Sequence, residues 1–524
     1  MKHAYWGLVL HAHLPYIRHY ANNNFLEEDW YYEALFEVYL PLLDLFNRLQ
    51  KEKVSFQITI SISPTLLTMM QDDLLQERAL QYADQRIKFL QDEKKRLQSK
   101  KEFYPILKMY DDKFKKYRDM LDVELNKNLI REFKKFSDAG MIEILTTVGT
   151  HALLPYLPLN AIHSQIQAGI QVYQDCFGKA PRGLWLPECG ICTGLDAILK
   201  EHKIQFVLVD THALLLARPF PSLGTLAPIY TPAHLWVFGR DFETSKEVWS
   251  SKEGYPGDAE YREFYRDVGF DLMRQELEQL ILKSQPRKFT GIKYYRITNQ
   301  AEDKKLYQPE LAQEKARIHA QDFFEKRKKQ IEGLKLKQSP YILSMYDAEL
   351  FGHWWYEGIY FLEFLFKILD HQKKIKLMTP TGYLKKIKPT VESDVCFSTW
   401  GENGYGEYWL NEKNDWVYPI NFRLCYRLKQ LAKIHFNTRK QWIIQTLNQA
   451  VREILLFQSS DWTFMIKNNN YGSYARKRLE NHMKNCLMLL KQVEKNIPGS
   501  KLAKSLWCEN PIFPKIDFRV FSKN

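Results

Sequence analysis

The 524-residue sequence predicts an α/β barrel with helical regions added to it. Apolar runs of strand length alternate along the chain with segments whose apolar residues recur at helical spacing. Several of these runs are followed directly by His, Asp or Glu, and α/β barrels build their active sites at the carboxyl ends of their strands. Two longer helical stretches break the alternation, so we expect helical regions outside the barrel.

The first 210 residues contain five predicted strands. Each is a short run rich in apolar or β-branched residues, and a helical pattern over residues 30–50 separates the first two. Polar side chains follow most of these runs, as expected where strands of a barrel end beside an active site. The predicted strands are residues 4–10, Val54–Ser63, Met141–Thr147, Gly183–Leu186 and Phe206–Val209.

Two segments depart from simple strand and helix alternation. Residues 66–138 are charged and helical in pattern, and they are longer than an ordinary crossover, so we predict a helical insertion. Residues 213–241 are rich in Pro and Gly and predict a long active-site loop. Later strands are expected at Ile292–Thr298, Tyr341–Asp347 and Val395–Thr399.

The end of the chain is helical in pattern from about residue 417 to 497. We therefore assign residues 1–400 to the catalytic barrel and residues 401–524 to a C-terminal helical domain.

Composition limits the partners of the protein. The net charge of +13 comes largely from Lys-rich helical stretches such as Lys94–Lys101, which are typical of solvated helix faces, and no nucleic-acid motif accompanies them. Aromatic residues make up 14% of the chain, which would suit stacking on sugar rings. His11 and His13 interrupt the first apolar run, so we expect neither a signal segment nor a membrane partner. Seven scattered cysteines favour reduced thiols and a cytoplasmic protein.

Glu188 is a lone carboxylate at the end of an apolar run. Trp185 and Leu186 close the predicted strand, Pro187 ends its pairing, and Gly190 is expected to let the backbone turn away. An ordinary strand-to-loop junction with a solvated Glu is the alternative. Asp347 repeats the arrangement at the end of another strand. Two such carboxylates fit a retaining glycosidase, in which they lie about 5–5.5 Å apart.

Histidines follow two other strands. His11 and His13 lie two residues apart and point the same way, and His151 follows the third strand. With a carboxylate they could bind Zn²⁺, hydrogen-bond the hydroxyls of a sugar, or serve only the structure. Sugar contact is the interpretation that we favour. Cys189 and Cys192 form a Cys-x-x-Cys pair, but no second pair supports a redox or zinc site.

Aromatic side chains are candidates for stacking on glucose. Trp400 and Trp409 bracket a Gly-rich loop, and exposed indoles there could contact sugar rings, with core packing as the alternative. Tyr230 lies in the predicted loop and could cover the cleft, or be a plain loop tyrosine.

Taken together, these motifs resemble the five ordered regions of glycoside hydrolase family 57. Segments 254–258, 261–267 and 458–462 further resemble the 1,4-α-glucan branching enzymes of that family, so the resemblance covers nearly the whole chain. It implies a (β/α)7 barrel with an inserted helical domain and a C-terminal helical domain. The five regions are His-Ala-His-Leu-Pro-Tyr (11–16), Gly-Thr-His-Ala-Leu-Leu-Pro (149–155), Trp-Leu-Pro-Glu-Cys-Gly (185–190), Tyr-Asp-Ala-Glu-Leu-Phe-Gly-His-Trp-Trp-Tyr-Glu-Gly (346–358) and Trp-Gly-Glu-Asn-Gly-Tyr (400–405).

The resemblance also assigns roles to residues. It implies that Glu188 is the nucleophile and Asp347 the acid/base, and that Tyr230 belongs to a mobile loop that shields the glycosyl intermediate from water. Substrate contacts are implied for His11, His13, His151, Arg240, Gly257, Trp400 and Asp461. The chain departs from the family pattern at Ile191–Thr193 and at Ala259 and Glu260, which affects the expected chain-length preference and balance of transfer against hydrolysis.

We therefore expect a cytoplasmic, metal-independent 1,4-α-glucan branching enzyme that needs no cofactor. Its partners would be α-glucans such as amylose, glycogen and maltodextrin, and its oligomeric state stays open. The alternatives are an α-amylase or 4-α-glucanotransferase of the same family, a non-catalytic glucan-binding protein, and a zinc-dependent hydrolase that uses His11, His13 and an acid.

Overall fold

The computed structural model describes residues 3–20, 26–250, 253–281, 286–298, 304–332, 334, 338–388 and 392–523. Most of its strands are short and buried, and several carry runs of Val, Leu or Ile, as in parallel sheets covered on both faces. The strands are β1 (Ala4–Ala12), β2 (Ile58–Ile62), β3 (Ile142–Leu145), β4 (Gly183–Trp185), β5 (Phe206–Val209), β6 (Ile229–Tyr230), β7 (Trp236–Gly239), β8 (Tyr341–Asp347) and β9 (Ile375–Leu377).

Seven of these strands close into a parallel barrel. One sheet has the order β3-β2-β1-β8 and the other the order β4-β5-β7, with β6 antiparallel at its edge. At one seam the amide of Trp185 donates to the carbonyl of Thr146 at 2.9 Å, and at the other the amide of Asp241 donates to the carbonyl of Leu343 at 2.8 Å. The predicted (β/α)7 barrel is confirmed, and β9 adds to it by pairing with the first residues of β1.

Some predicted strands differ from the structure. The segment 213–241, predicted as one loop, contains β6 and β7, which are too short to leave a periodic signal. Ile292–Thr298 is not a strand because its backbone pairs with loop segments, as where Ile297 N donates to Tyr261 O. Val395–Thr399 makes only an isolated bridge, from Ser398 to Ile191.

Helices surround the barrel, and the segment predicted as an insertion is helical from α3 to α6. Three of these helices begin at side-chain caps: Ser63 for α3, Asp72 for α4 and Asn128 for α6. The helices up to residue 384 are α1 (Leu26–Ala34), α2 (Leu40–Lys51), α3 (Pro64–Met70), α4 (Asp73–Arg96), α5 (Tyr104–Asp119), α6 (Leu129–Asp138), α7 (Leu159–Phe177), α8 (Leu195–Glu201), α9 (Thr211–Leu215), α10 (Phe242–Trp249), α11 (Val268–Asp271), α12 (Pro309–Ile331), α13 (Gly358–His371) and α14 (Pro380–Leu384).

The C-terminal region packs against the loop after β3. Ser459 forms an antiparallel bridge with Ala152, and Ser460 N donates to His151 O at 3.2 Å. The first residues of α17 therefore reach the carboxyl ends of the barrel strands. None of the described helices is both long and apolar enough to cross a membrane. The C-terminal helices are α15 (Val417–Ile434), α16 (Gln441–Phe457), α17 (Ser460–Asn468), α18 (Gly472–Glu494) and α19 (Lys501–Glu509).

Candidate active site

Glu188 lies in a tight turn, Pro187–Cys189, directly after β4. Its backbone is left-handed, with φ 58° and ψ 21°, and Cys189 follows with φ 54°. Such a conformation costs a non-glycine residue about 1–3 kcal/mol and is typical of functional sites. The amide of Trp400 donates to the Glu188 carbonyl at 2.8 Å, which helps to hold this turn.

Gly190 serves a different purpose from the predicted one. Its φ is −73°, so the left-handed turn occurs at Glu188 and Cys189 and not at the glycine. A Cβ atom at residue 190 would lie 2.3 Å from Leu153 Cδ1 and 3.2 Å from Pro187 O. The glycine is needed because neighbouring atoms approach its Cα closely.

The Glu188 carboxylate accepts two hydrogen bonds. Trp400 Nε1 donates to Oε2 at 2.7 Å, and Ser460 Oγ donates to Oε1 at 2.7 Å. Burial raises the pKa of Glu188 to about 7, although both hydrogen bonds favour the charged form. The side chain retains 13% of its surface exposed, so a substrate atom can reach it.

A chain of hydrogen bonds leads to this carboxylate. His11 contacts Ser61 through Nδ1 at 3.1 Å and His151 through Nε2 at 2.9 Å, and His151 Nδ1 lies 3.0 Å from Ser460 Oγ. An ionised Glu188 can only accept, so the Ser460 hydroxyl donates its hydrogen to Glu188 and must accept from His151 Nδ1. His151 Nε2 then has no hydrogen and accepts from His11. Burial lowers the pKa of both histidines, which keeps them neutral. Each hydrogen bond from His11 through His151 and Ser460 is therefore donated in the direction of Glu188.

His13 pairs with Asp461. Its Nε2 lies 3.2 Å from Asp461 Oδ2, and burial of Asp461 is outweighed by His13 and other partners, which hold the pKa of that carboxyl below its usual value. His13, His151 and Asp461 offer donor atoms within 4.8 Å of one another. The rings of His13 and His151 are stacked at 3.8 Å and 17°, however, so their lone pairs lie in two nearly parallel planes that do not meet at one ion. This geometry suits hydroxyl groups better than zinc.

Asp347 lies at the same level of the barrel as His11 and Ser61. The strand register pairs His11 with Asp347 on one side and with Ser61 on the other. Burial, then the nearby carboxylates of Glu349 and Glu188, raise the pKa of Asp347 well above its usual value. This environment favours the protonated form of the Asp347 carboxyl group.

Arg240 is the cation beside these acids. It follows β7, and its Nε and Nη2 donate to Asp210 at 3.1 and 2.7 Å. Its guanidinium lies 5.8 Å from the ring centre of Trp400. Arg240 lowers the pKa of Asp347, but by less than burial and the two carboxylates raise it.

Tyr230 lies beside the start of β7 in the structure, away from Arg240 at the other end of that strand. Tyr230 pairs antiparallel with Trp236, the first residue of β7, whereas Arg240 follows the last residue of that strand. Trp236 and Arg240 are four residues apart along the chain, or about 13 Å at ~3.3 Å per residue. The Tyr230 ring instead contacts Trp236 at 4.8 Å. The sequence prediction treated β6 and β7 as one loop, and a shielding role for Tyr230 stays a prediction.

Two other candidates also lie outside the immediate site. Trp409 is 1% exposed and packs against Tyr408 and Phe464, so it belongs to the core and is not an exposed stacking surface. Gly257 is exposed in the turn Tyr255–Gly257, and its amide donates to Gly254 O at 3.3 Å. Substrate contact by Gly257 stays a prediction.

Sequence reasoning missed Ser460 and Glu349. Ser460 directly precedes Asp461 within the quoted segment 458–462, and Glu349 follows Asp347 by two residues. Proximity in sequence to two chosen residues was the available signal. A serine hydroxyl gives no periodic or charge pattern that would have singled it out.

The segment Ile191–Thr193, which departs from the family pattern, begins with a residue that pairs with the backbone just before Trp400. Ile191 is buried, its amide donates to Ser398 O at 3.0 Å, and Ser398 N donates back at 3.1 Å. Trp400 follows two residues later and reaches Glu188. Ile191 therefore packs in the core and does not form a wall of the cleft, whereas Thr193 is exposed.

Comparisons with known proteins agree with this geometry. The family model described as glycosyl hydrolase family 57 matches residues 7–395, and a model described as 1,4-alpha-glucan branching enzyme, C-terminal, matches residues 423–521. The 1,4-alpha-glucan branching enzyme TK1436 of Thermococcus kodakarensis is 29% identical over 511 residues, which cover 91% of this chain and 72% of that protein.

Solved structures are similar over their full length. The alpha-amylase AmyC of Thermotoga maritima has a TM-score of 0.92 and 35% identity, covering 100% of both chains. The GH57-type branching enzyme of Pyrococcus horikoshii has a TM-score of 0.89 and 28% identity, covering 99% of this chain and 97% of that one. Since the first family model spans most of the sequence, including Glu188 and Asp347, the chain belongs to glycosyl hydrolase family 57.

Proposed function

We propose that the protein is a 1,4-α-glucan branching enzyme that works by retaining double displacement. The single observation that carries the chemistry is the contrast between two strand-end carboxylates. Glu188 accepts two hydrogen bonds that favour its anion, and Asp347 faces other carboxylates that favour its acid form. The C-terminal family match and the branching enzymes among the relatives support the choice of reaction.

In the first step, Glu188 attacks the anomeric carbon of an α-1,4-linked glucose. The bond from that carbon to the 4-oxygen breaks, and Asp347 gives its proton to the departing oxygen. The glucan segment is then bound to Glu188 as a glycosyl ester.

In the second step, a 6-hydroxyl of another glucan attacks the anomeric carbon of the glycosyl ester, and the bond from that carbon to Glu188 breaks. Asp347, now ionised, takes the hydroxyl proton, and Glu188 leaves as a carboxylate. Both groups return to their starting states, and an α-1,6 branch has formed. His13, His151 and Asp461 are proposed to hold hydroxyls of the reacting sugar, and Arg240 and Trp400 to border it.

A second candidate is an α-amylase, in which water replaces the 6-hydroxyl. Two observations favour it: the 35% identity to the alpha-amylase AmyC, and the position of Tyr230 far from Arg240. Without a tyrosine over the ester, water competes more readily for the intermediate.

The experiment that separates the two candidates starts from unbranched amylose. We expect the product to contain new α-1,6 linkages, which a debranching enzyme converts into short linear chains, with few new reducing ends before debranching. Reducing ends without α-1,6 linkages would favour the amylase. No change in the amylose at all would favour a non-catalytic glucan-binding protein.

We further propose that the enzyme acts in the cytoplasm, on glycogen or a related storage glucan. All seven cysteines are free thiols, which fits a reducing compartment. Fractionation of cells that express the chain would test this location.

A further inference from the structure

A third carboxylate lies beside the proposed acid/base and has no part in the reaction above. Glu349 is in the turn Ala348–Leu350, immediately after β8 and two residues beyond Asp347. Its Oε1 accepts from His13 N at 3.3 Å and also from the Tyr39 hydroxyl. Glu349 thereby connects the turn that carries Asp347 to the end of β1 and to the helical segment Leu35–Tyr39.

These bonds fix the position of the Glu349 carboxylate. Tyr39 is 1% exposed, and burial followed by Glu349 raises the pKa of its hydroxyl well above the usual value, so it remains an O–H donor. The His13 amide is fixed because it belongs to the backbone at the end of β1. Both donors favour a charged Glu349, although burial raises its pKa to about 7.

The charged groups around Glu349 come from several elements. Tyr39 faces it from the helical side, His13 from the residue after β1, and Asp347 from the last position of β8. Asp347 in turn faces Glu188 from β4 and Arg240 from β7. Among these charged groups, Glu349 has the largest effect on the pKa of Asp347, ahead of Glu188 and Arg240.

We propose that Glu349 is a positioning residue that keeps the proton on Asp347: it fixes the turn after β8 through His13 and Tyr39 and opposes a second negative charge beside it. The proposal rests on the proposed function for its assignment of Asp347. Once Asp347 has given its proton away, the repulsion from Glu349 makes it a stronger base toward the incoming hydroxyl.

The test is Glu349→Gln, which removes the charge and retains an oxygen acceptor for Tyr39 and His13. We expect the alkaline limb of the kcat/KM profile to move to lower pH by about one unit, which is a tenfold loss of rate on that limb. The acidic limb, set by Glu188, should stay in place. A purely structural role would lower the rate equally at every pH.

The matched control is Glu357→Gln, because Glu357 is a fully buried carboxylate on the same segment whose Oε1 accepts from Arg262 N at 3.0 Å. It should leave the alkaline limb in place. Tyr39→Phe gives a second variant if the first does not fold, and it should move the limb in the same direction by less. An unmoved limb in both Glu349→Gln and Tyr39→Phe would overturn the proposal.

A readout without turnover separates this inference from the proposed function. The carboxyl carbon of Asp347, assigned by comparison with Asp347→Asn in ¹³C-labelled protein, can be titrated by NMR. We expect its pKa to fall by about one unit in Glu349→Gln. An inactive wild-type enzyme with that shift would refute the function alone, and an active enzyme without it would refute the role of Glu349.

Discussion

The ends of β4 and β8 each present a carboxylate to the same cleft, but their surroundings are opposite. At the end of β4, an indole N–H and a serine hydroxyl donate to Glu188. At the end of β8, Asp347 faces the carboxylates of Glu349 and Glu188, and the nearby Arg240 is already paired. The comparison teaches that burial alone does not assign a role: donors favour the nucleophilic anion, and like charges favour the acid.

Removing the nucleophile should have the largest effect. Glu188→Gln retains the shape and one oxygen acceptor, but an amide cannot form the glycosyl ester. We expect kcat on amylose to fall by at least about 10⁴-fold, with the circular dichroism spectrum and maltodextrin binding retained. Substantial turnover by this variant would show that Glu188 is not the nucleophile.

Asp347→Asn removes the proposed proton donor, and the loss of rate should depend on how much the leaving group needs a proton. On amylose, where the departing oxygen needs a proton, we expect a loss of about 10²–10⁴-fold. On an aryl maltoside with an acidic phenol, the formation of the glycosyl ester should be much less affected, because the phenolate leaves unaided. Pre-steady-state release of the phenol would measure this step, and Glu188→Gln is the control that should fail on both substrates. Equal losses on both substrates would contradict the assignment of Asp347 as acid.

Ser460→Ala tests the surroundings of Glu188 because it removes one of the two donors to that carboxylate and leaves Trp400 in place. In the wild type, Glu188 must be ionised to attack, so kcat/KM should rise with pH through about 7 and fall tenfold per unit below it. Loss of the hydroxyl removes a hydrogen bond to the anion, so the pKa of Glu188 rises and the acidic limb moves to higher pH. A charged hydrogen bond is worth about 1.5–3 kcal/mol, which predicts a loss of about tenfold or more at pH 7.

For this variant the matched control is Ser459→Ala, because Ser459 donates to Asp461 and not to Glu188. Its acidic limb should stay at the wild-type position. A shift of equal size in both serine variants would point to a general disturbance of the start of α17.

Tyr230→Phe should have the smallest effect. Its ring lies at the opposite end of β7 from Arg240, so we expect the ratio of transfer to hydrolysis to stay within about twofold of the wild type. The ratio is measured as α-1,6 linkages formed per reducing end released. A strong increase in hydrolysis would show that Tyr230 does act on the intermediate.

Much of the site could be predicted because parallel strands place their carboxyl ends together. Strand patterns located His11, His151, Glu188 and Asp347, and the barrel then requires that these side chains meet. The position of Tyr230 could not be predicted for the corresponding reason: β6 and β7 are too short to leave a pattern, so the sequence does not show that the chain reverses between Tyr230 and Trp236. The contact from Ser460 to Glu188 spans 272 residues, and only packing of α17 on the barrel creates it.

The hydroxyl of Ser460 also has a consequence for biosynthesis. A ribosome completes the barrel, with both acids and all three cleft histidines, well before it reaches residue 460. A nascent or truncated chain of that length holds the nucleophile with one donor in place of two. The C-terminal helical region thus supplies the second donor to the nucleophile, and we expect a chain that ends before residue 460 to react with glucan more slowly than the full chain.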